Sequence, residues 1–177
     1  MSKPNQAQPV KLFFSVFAKD AARLNETIKT LSFAYGQPDF ISEMISFDYT
    51  DYYCAEMGEN LVRRFLTIEK LIGPEELPDI KLATNGIEDQ SAPSGQRQVN
   101  IDPGYISTAN FILATGKSYT HRPYLRDGIY ADLTLVYQGK KFRSLPWTYP
   151  DYADEKQLLM LGKIRARYLL QLKMTGQ

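Results

Sequence analysis

The sequence predicts an α+β fold, with a ferredoxin-like βαββαβ core followed by a β-hairpin and a C-terminal helix. A nearly continuous apolar run, VKLFFSVFA at residues 10–18, is typical of a central strand that is buried on both faces. Helical patterns at 20–36 and 73–87 flank strand patterns at 39–49 and 61–72. A last strand pattern, RQVNIDPGY, completes the order strand, helix, strand, strand, helix, strand.

The first helix is predicted to begin after Asp20, whose side chain can cap the first free amides, and to end at Gly36. Apolar residues at helical spacing form its buried stripe: Leu24, Ile28, Leu31 and Tyr35. Apolar and polar residues alternate over 39–49, which predicts a half-buried strand. The string LVRRFLTIEKLI at residues 61–72 predicts the next strand.

The second helix is predicted to begin at Pro74, because proline suits the first helical position and two glutamates follow in the first turn. Its buried stripe comprises Leu77, Ile80, Thr84 and Ile87. After a loop at 91–96, a strand is predicted, and Asp102-Pro103-Gly104 predicts the turn that ends it. This topology places both helices on one sheet face and leaves the other face to be covered.

The last third of the chain contains predicted elements that could pack on that open face of the sheet. Residues 107–115 fit helix or strand, and helix is favoured because Thr108 is a plausible cap and apolar residues follow at helical spacing. A strand at 128–137 turns at Gln138-Gly139 into a hairpin, and an amphipathic helix follows over 158–172. We expect residues 1–9 to be a flexible tail and residues 10–177 to form a single domain.

Composition and charge exclude several classes of site. The 177 residues carry a net charge of +1, too little to hold a nucleic acid by overall charge. With Cys54 and His121 as the single residues of their types, an internal disulfide and multi-cysteine or multi-histidine metal centres are excluded. No metal site is predicted, and no cofactor is identified. The polar N-terminus and the lack of a long apolar run predict a cytoplasmic protein with no membrane partner.

The string ATGKS at residues 114–118 ends like a phosphate-binding P-loop. That motif requires a glycine where this chain has Phe111, and no guanine-reading Asn-Lys-x-Asp string is present. The sequence therefore predicts a helix end here, with Gly116 as its cap and Lys117 interacting with the helix dipole.

Polar and aromatic residues that a core does not need are concentrated in the connections and at strand ends. Carboxylates and a histidine could act as general bases, and the catalytic candidates are Asp48, Asp102, His121 and Asp132. A structural role for His121 in a loop is the alternative. Cations and tyrosines suit an anionic ligand with a flat apolar part, and the binding candidates are Tyr49, Tyr53, Glu56, Arg64, Asn100, Tyr105, Lys117, Arg122 and Tyr130.

Five strings carry a family resemblance: FDYTDYYCAEMG (47–58), RRFLTIEKLI (63–72), VNIDPGYIS (99–107), KSYTHRPYLRDGIYADLTL (117–135) and LPWTYPDY (145–152). In them the chain resembles an uncharacterised prokaryotic domain-of-unknown-function family, whose members are sometimes automatically labelled GTP-binding proteins. The resemblance implies a small stand-alone bacterial or archaeal protein. It implies no established reaction, substrate or catalytic residue.

Two classes of function fit these observations. The first is a small-molecule binding protein or enzyme for a phosphorylated or nucleotide-like ligand, held in a polar, tyrosine-rich cleft. The alternative is a non-enzymatic interaction module or homo-oligomer that uses the tyrosine-rich loops as its interface. Nucleic-acid binding through cations of the hairpin and the last helix is less favoured, because a solvated helix face explains these cations better.

Overall fold

A computed structural model describes residues 1, 3–48, 53–92 and 95–176 of the chain. Five helices lie in this part of the chain: α1 (Ala21–Tyr35), α2 (Cys54–Met57), α3 (Leu77–Gln90), α4 (Pro150–Ala153) and α5 (Glu155–Met174). The strands are β1 (Val10–Ala18), β2 (Pro38–Ile41), β3 (Ile45–Phe47), β4 (Leu61–Ile72), β5 (Val99–Ile106), β6 (Asn110–Thr115), β7 (Tyr124–Arg126), β8 (Ile129–Gln138) and β9 (Lys141–Ser144).

These strands form one nine-stranded sheet in which the paired neighbours are antiparallel. Its main order is β2-β4-β1-β5-β6-β8-β7, with β3 beside β4 and β9 beside β8. The prediction of a mixed α+β fold is confirmed. The sheet is larger than the four-stranded core that the sequence predicts, because β6 continues it directly into the later hairpins.

Helices α1 and α3 pack on the first face of the sheet. Every residue of β1 is buried, as its nearly continuous apolar run predicts, and its even-numbered side chains join Leu24, Leu31 and Ile80 in one apolar cluster. Asp20 caps α1 as predicted, because its carboxylate accepts a hydrogen bond from the amide of Arg23 at 2.8 Å. A short turn at Pro74–Glu76 leads into α3, so the predicted helix start is also confirmed.

The second face of the sheet is covered by α4 and α5. Phe13, Phe65 and Phe111 from three strands pack with Tyr152 of α4 and with apolar residues of α5, including Leu161. At the far end of α5, the Tyr168 hydroxyl donates a hydrogen bond to the carbonyl oxygen of Pro9 at 2.8 Å. The C-terminal helix therefore covers the face that the predicted helices leave open.

The prediction of a helix at 107–115 is wrong, since residues 110–115 form strand β6. Phe111 and Leu113 face the cluster under α5, whereas Ile112 and Ala114 face the side of α3. A short apolar run that is buried on both faces has no periodicity that separates helix from strand. Gly116 and Lys117 consequently follow a strand and enter a loop, so the helix end expected there is absent.

The prediction of a turn at Asp102-Pro103-Gly104 is also wrong, because β5 continues through all three residues. Pro103 pairs with Phe14 of β1, while β6 pairs with β5 only from Gly104 to Ile106. Proline lacks an amide donor but is tolerated where one edge of a strand has no partner. The chain reverses instead after Ile106, where the Ser107 hydroxyl accepts hydrogen bonds from the amides of residues 109 and 110.

The strand predicted over 39–49 is interrupted, and it forms β2 and β3 with residues 42–44 between them. Ser42 bridges the interruption, because its amide donates to the Phe65 carbonyl at 2.8 Å and its hydroxyl accepts from the Phe65 amide at 2.9 Å. The alternation of apolar and polar residues over 39–49 does not reveal this break, because it does not show that the Ser42 hydroxyl takes the place of a backbone hydrogen-bond acceptor.

The turn of the β8–β9 hairpin contains a strained residue. Lys140 has a φ of 65°, and the preceding Gly139 has a φ of 61°. Two positive φ values are typical of a tight hairpin turn and favour glycine or asparagine. Replacing Lys140 with glycine is expected to raise the free energy of unfolding by about 0.5 kcal/mol, because it removes left-handed strain. Chemical denaturation measures the change, and Lys141→Gly, inside β9, should lower stability instead.

Candidate functional site

The connection between β9 and α5 crosses the second face of the sheet, and we call residues 145–153 the strap. The Trp147 indole donates to the carbonyl of Leu133 at 2.8 Å, and the Thr148 hydroxyl donates to the carbonyl of Thr134 at 2.6 Å. Farther along, Asp151 forms a buried ion pair with Arg63 of β4. The strap therefore joins two strands that lie far apart in the sheet.

A bulge in β8 provides the strap with its acceptors. Phe111 pairs with Leu135, whereas the next residue of β6 pairs with Leu133, so Thr134 is an extra residue on β8. A bulge interrupts the ladder of hydrogen bonds at that point. Both carbonyls of the bulged residues accept hydrogen bonds from the strap, and Asp132 lies immediately before them.

Beside the bulge lies a group that we call the His121 cluster: Tyr119, His121, Arg122, Asp132, Trp147 and Tyr149. Arg122 connects the members of this cluster through hydrogen bonds. Its Nε donates to Asp132 Oδ2 at 2.8 Å, one terminal nitrogen donates to the Tyr149 hydroxyl at 3.1 Å, and the other donates to the Lys117 carbonyl at 3.3 Å. The cluster thus ties the loop after β6, strand β8 and the strap together.

His121 is held between aromatic rings. It stacks on Trp147 with the ring centroids 4.8 Å apart and the planes 13° from parallel, and Tyr119 lies tilted at 5.4 Å. Its Nε2 lies 3.8 Å from Asp132 Oδ1, which is too long for a hydrogen bond. The side chain is 10% exposed, and within the described part of the chain Nε2 is buried without a hydrogen-bond partner.

A second group on the same face, which we call the Arg63 cluster, contains Ser15, Arg63, Asp151 and Tyr152. Arg63 is 2% exposed, its Nε donates to Ser15 Oγ at 2.8 Å, and its guanidinium lies 4.5 Å from the Phe65 ring centroid. Burial raises the pKa of the Tyr152 hydroxyl, which has no hydrogen-bond partner among the described residues. This cluster anchors the strap.

A third group centres on Arg97, at the end of β5 that β6 leaves without a partner. Arg97 donates to both oxygens of Glu56, at 2.7 and 2.8 Å, and this hydrogen bonding lowers the pKa of that carboxyl group. It also donates to Glu88 at 3.1 Å and to Asn100 at 3.2 Å, and Asn100 in turn donates to Asp102 at 2.9 Å.

Helix α3 supplies hydrogen bonds to the free edge of β5 at Ile101. Glu88 accepts from the Ile101 amide at 2.6 Å, and Lys81 donates to the Ile101 carbonyl at 2.9 Å. Burial raises the pKa of Glu88. Side chains therefore replace the missing strand, so the polar residues around Arg97 are accounted for by the fold.

The structure brings only some of the predicted site residues together. His121, Arg122 and Asp132 meet in one cluster, which Lys117 joins through its carbonyl. Asp132 is 6% exposed, so this carboxylate is covered although it lies on a strand near the end of the sheet. Glu56, Asn100 and Asp102 belong to the group around Arg97.

The other predicted site residues lie apart from these groups. Arg64 pairs with Val16, whose side chain faces α1, and Tyr105 packs toward α1 and α3. Tyr53 lies against Phe17 and Phe47, Tyr130 contacts Tyr124, and Asp48 is exposed after β3. Tyr49 lies outside the described residues.

Sequence reasoning did not single out Arg63, Trp147 or Asp151. Side chains alternate along β4, so Arg63 faces the strap while Arg64 faces the helices. The face of the strand on which each arginine lies could be predicted from the sequence. Residues two apart on a strand share a face, so Arg64 lies on the same face as the apolar Leu66 and Ile68. Trp147 and Asp151 appear in the sequence only within LPWTYPDY, and no local pattern indicates what they contact.

Within the described residues, no group of three or more histidine, cysteine, aspartate or glutamate side chains is placed to hold a metal ion. The same part of the chain contains no helix whose length and apolar character would allow it to cross a membrane.

Comparison with known proteins gives one match. No curated protein and no solved structure matches the chain. A family model matches residues 8–168, which include both the His121 cluster and the strap. The chain therefore belongs to the family described as a domain of unknown function, DUF4416.

Proposed function

We propose that the protein binds a small planar ligand with an anionic group, such as a phosphorylated or nucleotide-like compound, at the His121 cluster. The observation that carries this proposal is the buried Nε2 of His121, which has no partner among the described residues. Leaving a buried polar atom unpaired costs about 1–3 kcal/mol. A ligand group within hydrogen-bond distance of Nε2 would pair this atom and recover that cost.

The rim of the cluster supports a planar ligand. Tyr119 is 66% exposed, Tyr149 is 52% exposed and Trp147 is 38% exposed, although each is a large aromatic residue. Flat rings that border a polar floor offer stacking surfaces to a heterocycle or sugar. Because Trp147 covers His121, its side chain must shift when a ligand reaches Nε2.

The guanidinium of Arg122 supports an anionic ligand. Arg122 presents a planar guanidinium with several N–H donors, a geometry that matches the oxygens of a carboxylate or phosphate. Arg122 is already oriented by Asp132 and by the Tyr149 hydroxyl, so binding would not require a flexible side chain to be ordered. Lys117 contacts Arg122 through its backbone carbonyl, and strand β7 follows it where a P-loop would have a helix.

A thermal-unfolding screen of nucleotides and sugar phosphates tests the proposal. A ligand at a hundred times its dissociation constant adds about 2.7 kcal/mol to stability, which raises the midpoint of a protein of this size by roughly 5–10 °C. We expect at least one compound to produce such a shift and to change the fluorescence of Trp147, the one tryptophan in the chain.

Matched variants locate the site. Trp147→Ala should abolish the shift because it removes a stacking surface, whereas Phe33→Ala should retain it. Phe33 is 96% exposed and belongs to α1, on the first face of the sheet. If no compound stabilises the wild-type protein, or if Trp147→Ala binds as tightly as Phe33→Ala, the assignment of the site is wrong.

The second candidate is self-association through the end of the sheet. Strand β7 is the last in the main strand order, and its Tyr124 and Leu125 are 59% and 39% exposed. An unpaired strand edge with apolar side chains favours pairing with another chain. Light scattering after size exclusion distinguishes this candidate, because a strict monomer at high concentration contradicts it.

We also infer that the first part of the chain is a ferredoxin-like unit within a single domain of residues 10–177. The strand order β2-β4-β1-β5, with α1 and α3 on one face, supports this inference. The continuous sheet, which runs on from β5 into β6, supports one domain rather than two.

A further inference from the structure

The outer side of helix α5 has an unusual composition. Its buried side comprises Leu161, Ile164, Tyr168 and Leu172. Eight exposed residues lie at helical spacing on the opposite side and form what we call the basic stripe: Lys156, Leu159, Lys163, Ala166, Arg167, Leu170, Lys173 and Met174. Apart from Glu155 in the first turn, they are all the exposed residues of the helix.

The basic stripe carries four cations and no carboxylate, although the whole chain has a net charge of only +1. None of the four forms an ion pair with a described residue. Arg165, which lies beside the stripe, differs: its guanidinium stacks 3.5 Å from the Tyr137 ring centroid and donates to the Thr108 carbonyl at 2.6 Å. The fold therefore uses Arg165 and leaves the charges of the stripe to solvent.

Large apolar side chains separate these cations. Leu159 and Leu170 are each 61% exposed, and Met174 is 87% exposed. Binding at a membrane interface is strengthened both by burial of apolar area and by attraction between cations and anionic lipids, and the stripe offers both. The stripe runs straight along the helix for roughly 27 Å at 1.5 Å per residue, which suits a flat surface better than a groove.

We propose, in place of the expectation that the protein has no membrane partner, that the basic stripe docks on an anionic lipid surface, with α5 lying parallel to it. The cations would face the negative headgroups while the leucine and methionine side chains enter the boundary of the acyl region. A second copy of this chain is disfavoured, because two basic stripes repel each other. Nucleic acid is disfavoured, because the stripe has no aromatic side chain for stacking and its apolar residues would stay exposed.

Vesicle sedimentation tests the proposal on the full chain. We expect binding to vesicles of equal parts phosphatidylcholine and phosphatidylserine, and no binding to phosphatidylcholine alone. Raising the ionic strength from about 0.05 M to 0.5 M should release the protein, because salt screens exposed charges. The double variant Lys163→Glu with Arg167→Glu should bind at least about tenfold more weakly, since each charge near the surface contributes to affinity.

Two further variants separate charge from folding and from apolar insertion. Lys29→Glu with Lys70→Glu makes the same change of charge at exposed positions of α1 and β4, and it should leave vesicle binding unchanged. Leu159→Ser with Leu170→Ser should weaken vesicle binding and keep the thermal midpoint of the wild type. The proposal is overturned if the protein ignores the phosphatidylserine vesicles, if both charge-reversal variants bind alike, or if it binds single-stranded RNA and not vesicles.

Discussion

Replacing Asp151 with alanine is expected to lower the free energy of unfolding by about 3–5 kcal/mol, the cost of breaking a buried ion pair from one side. Arg63 would remain 2% exposed beneath Phe65 and Tyr152, and within the described part of the chain the Ser15 hydroxyl would be its remaining hydrogen-bond partner. Urea denaturation followed by circular dichroism measures the loss. As a contrast, Asp79→Ala removes an ion pair with Arg126 that is open to solvent, and it should change stability little.

A double-mutant cycle tests whether Arg63 and Asp151 act as a pair or independently. We expect Arg63→Met with Asp151→Leu to be less destabilised than the sum of the two single changes, because it leaves no unpaired buried charge. If the double variant loses as much as the sum, the two side chains act independently and the ion pair does not hold the strap.

The Asp151→Ala variant also tests whether the Arg63 cluster influences the proposed site. Asp151 lies four residues after Trp147 on the strap, and Trp147 covers His121. Loosening the strap in Asp151→Ala should expose Trp147 and shift its fluorescence emission to longer wavelength. Fluorescence of the folded variant in the absence of denaturant measures this effect. An unchanged spectrum would show that the hydrogen bonds to the bulge of β8 hold the strap without help from Arg63.

The part of the fold that the sequence predicts well depends on local signals. The buried run of β1, the Asp20 cap of α1, the turn before α3 and the hairpin at Gly139 each follow from a few neighbouring residues. The sequence was misleading where contacts distant in the chain decide the conformation. Strand β6 looks helical by spacing, and it is a strand because β5 and β8 lie on either side of it.

The candidate site shows the same division. The string KSYTHRPYLRDGIYADLTL contains His121, Arg122 and Asp132, and strand pairing across a short loop brings them together. Trp147 and Tyr149 arrive from the strap, and only the bulge in β8 positions the carbonyls that receive it. A bulge has no reliable signature in one sequence, so this half of the cluster was not predictable.

Gly104→Ala tests the reading of Asp102-Pro103-Gly104 as continuous strand, with an expected loss of about 3 kcal/mol from overpacking. A Cβ at Gly104 would lie 2.3 Å from the carbonyl oxygen of Ile112 in β6 and 2.7 Å from the side chain of Leu113. Since the obstructing atom belongs to a paired backbone, the two strands must separate. In a solvent-exposed turn, alanine would fit without that contact.

Gly86→Ala is the matched control, because the same change of residue should have the opposite sign. Gly86 lies inside α3, and apart from its chain neighbours and the backbone of its own helix no atom lies within 4 Å of the position that its Cβ would take. Alanine is favoured over glycine inside a helix by about 0.8–1.0 kcal/mol, so Gly86→Ala should be more stable than the wild type. Thermal and urea unfolding of the two variants measure the difference. If Gly104→Ala proves as stable as the wild type, β5 and β6 are not in close contact at Gly104. The claim that one continuous sheet positions the His121 cluster would then be wrong.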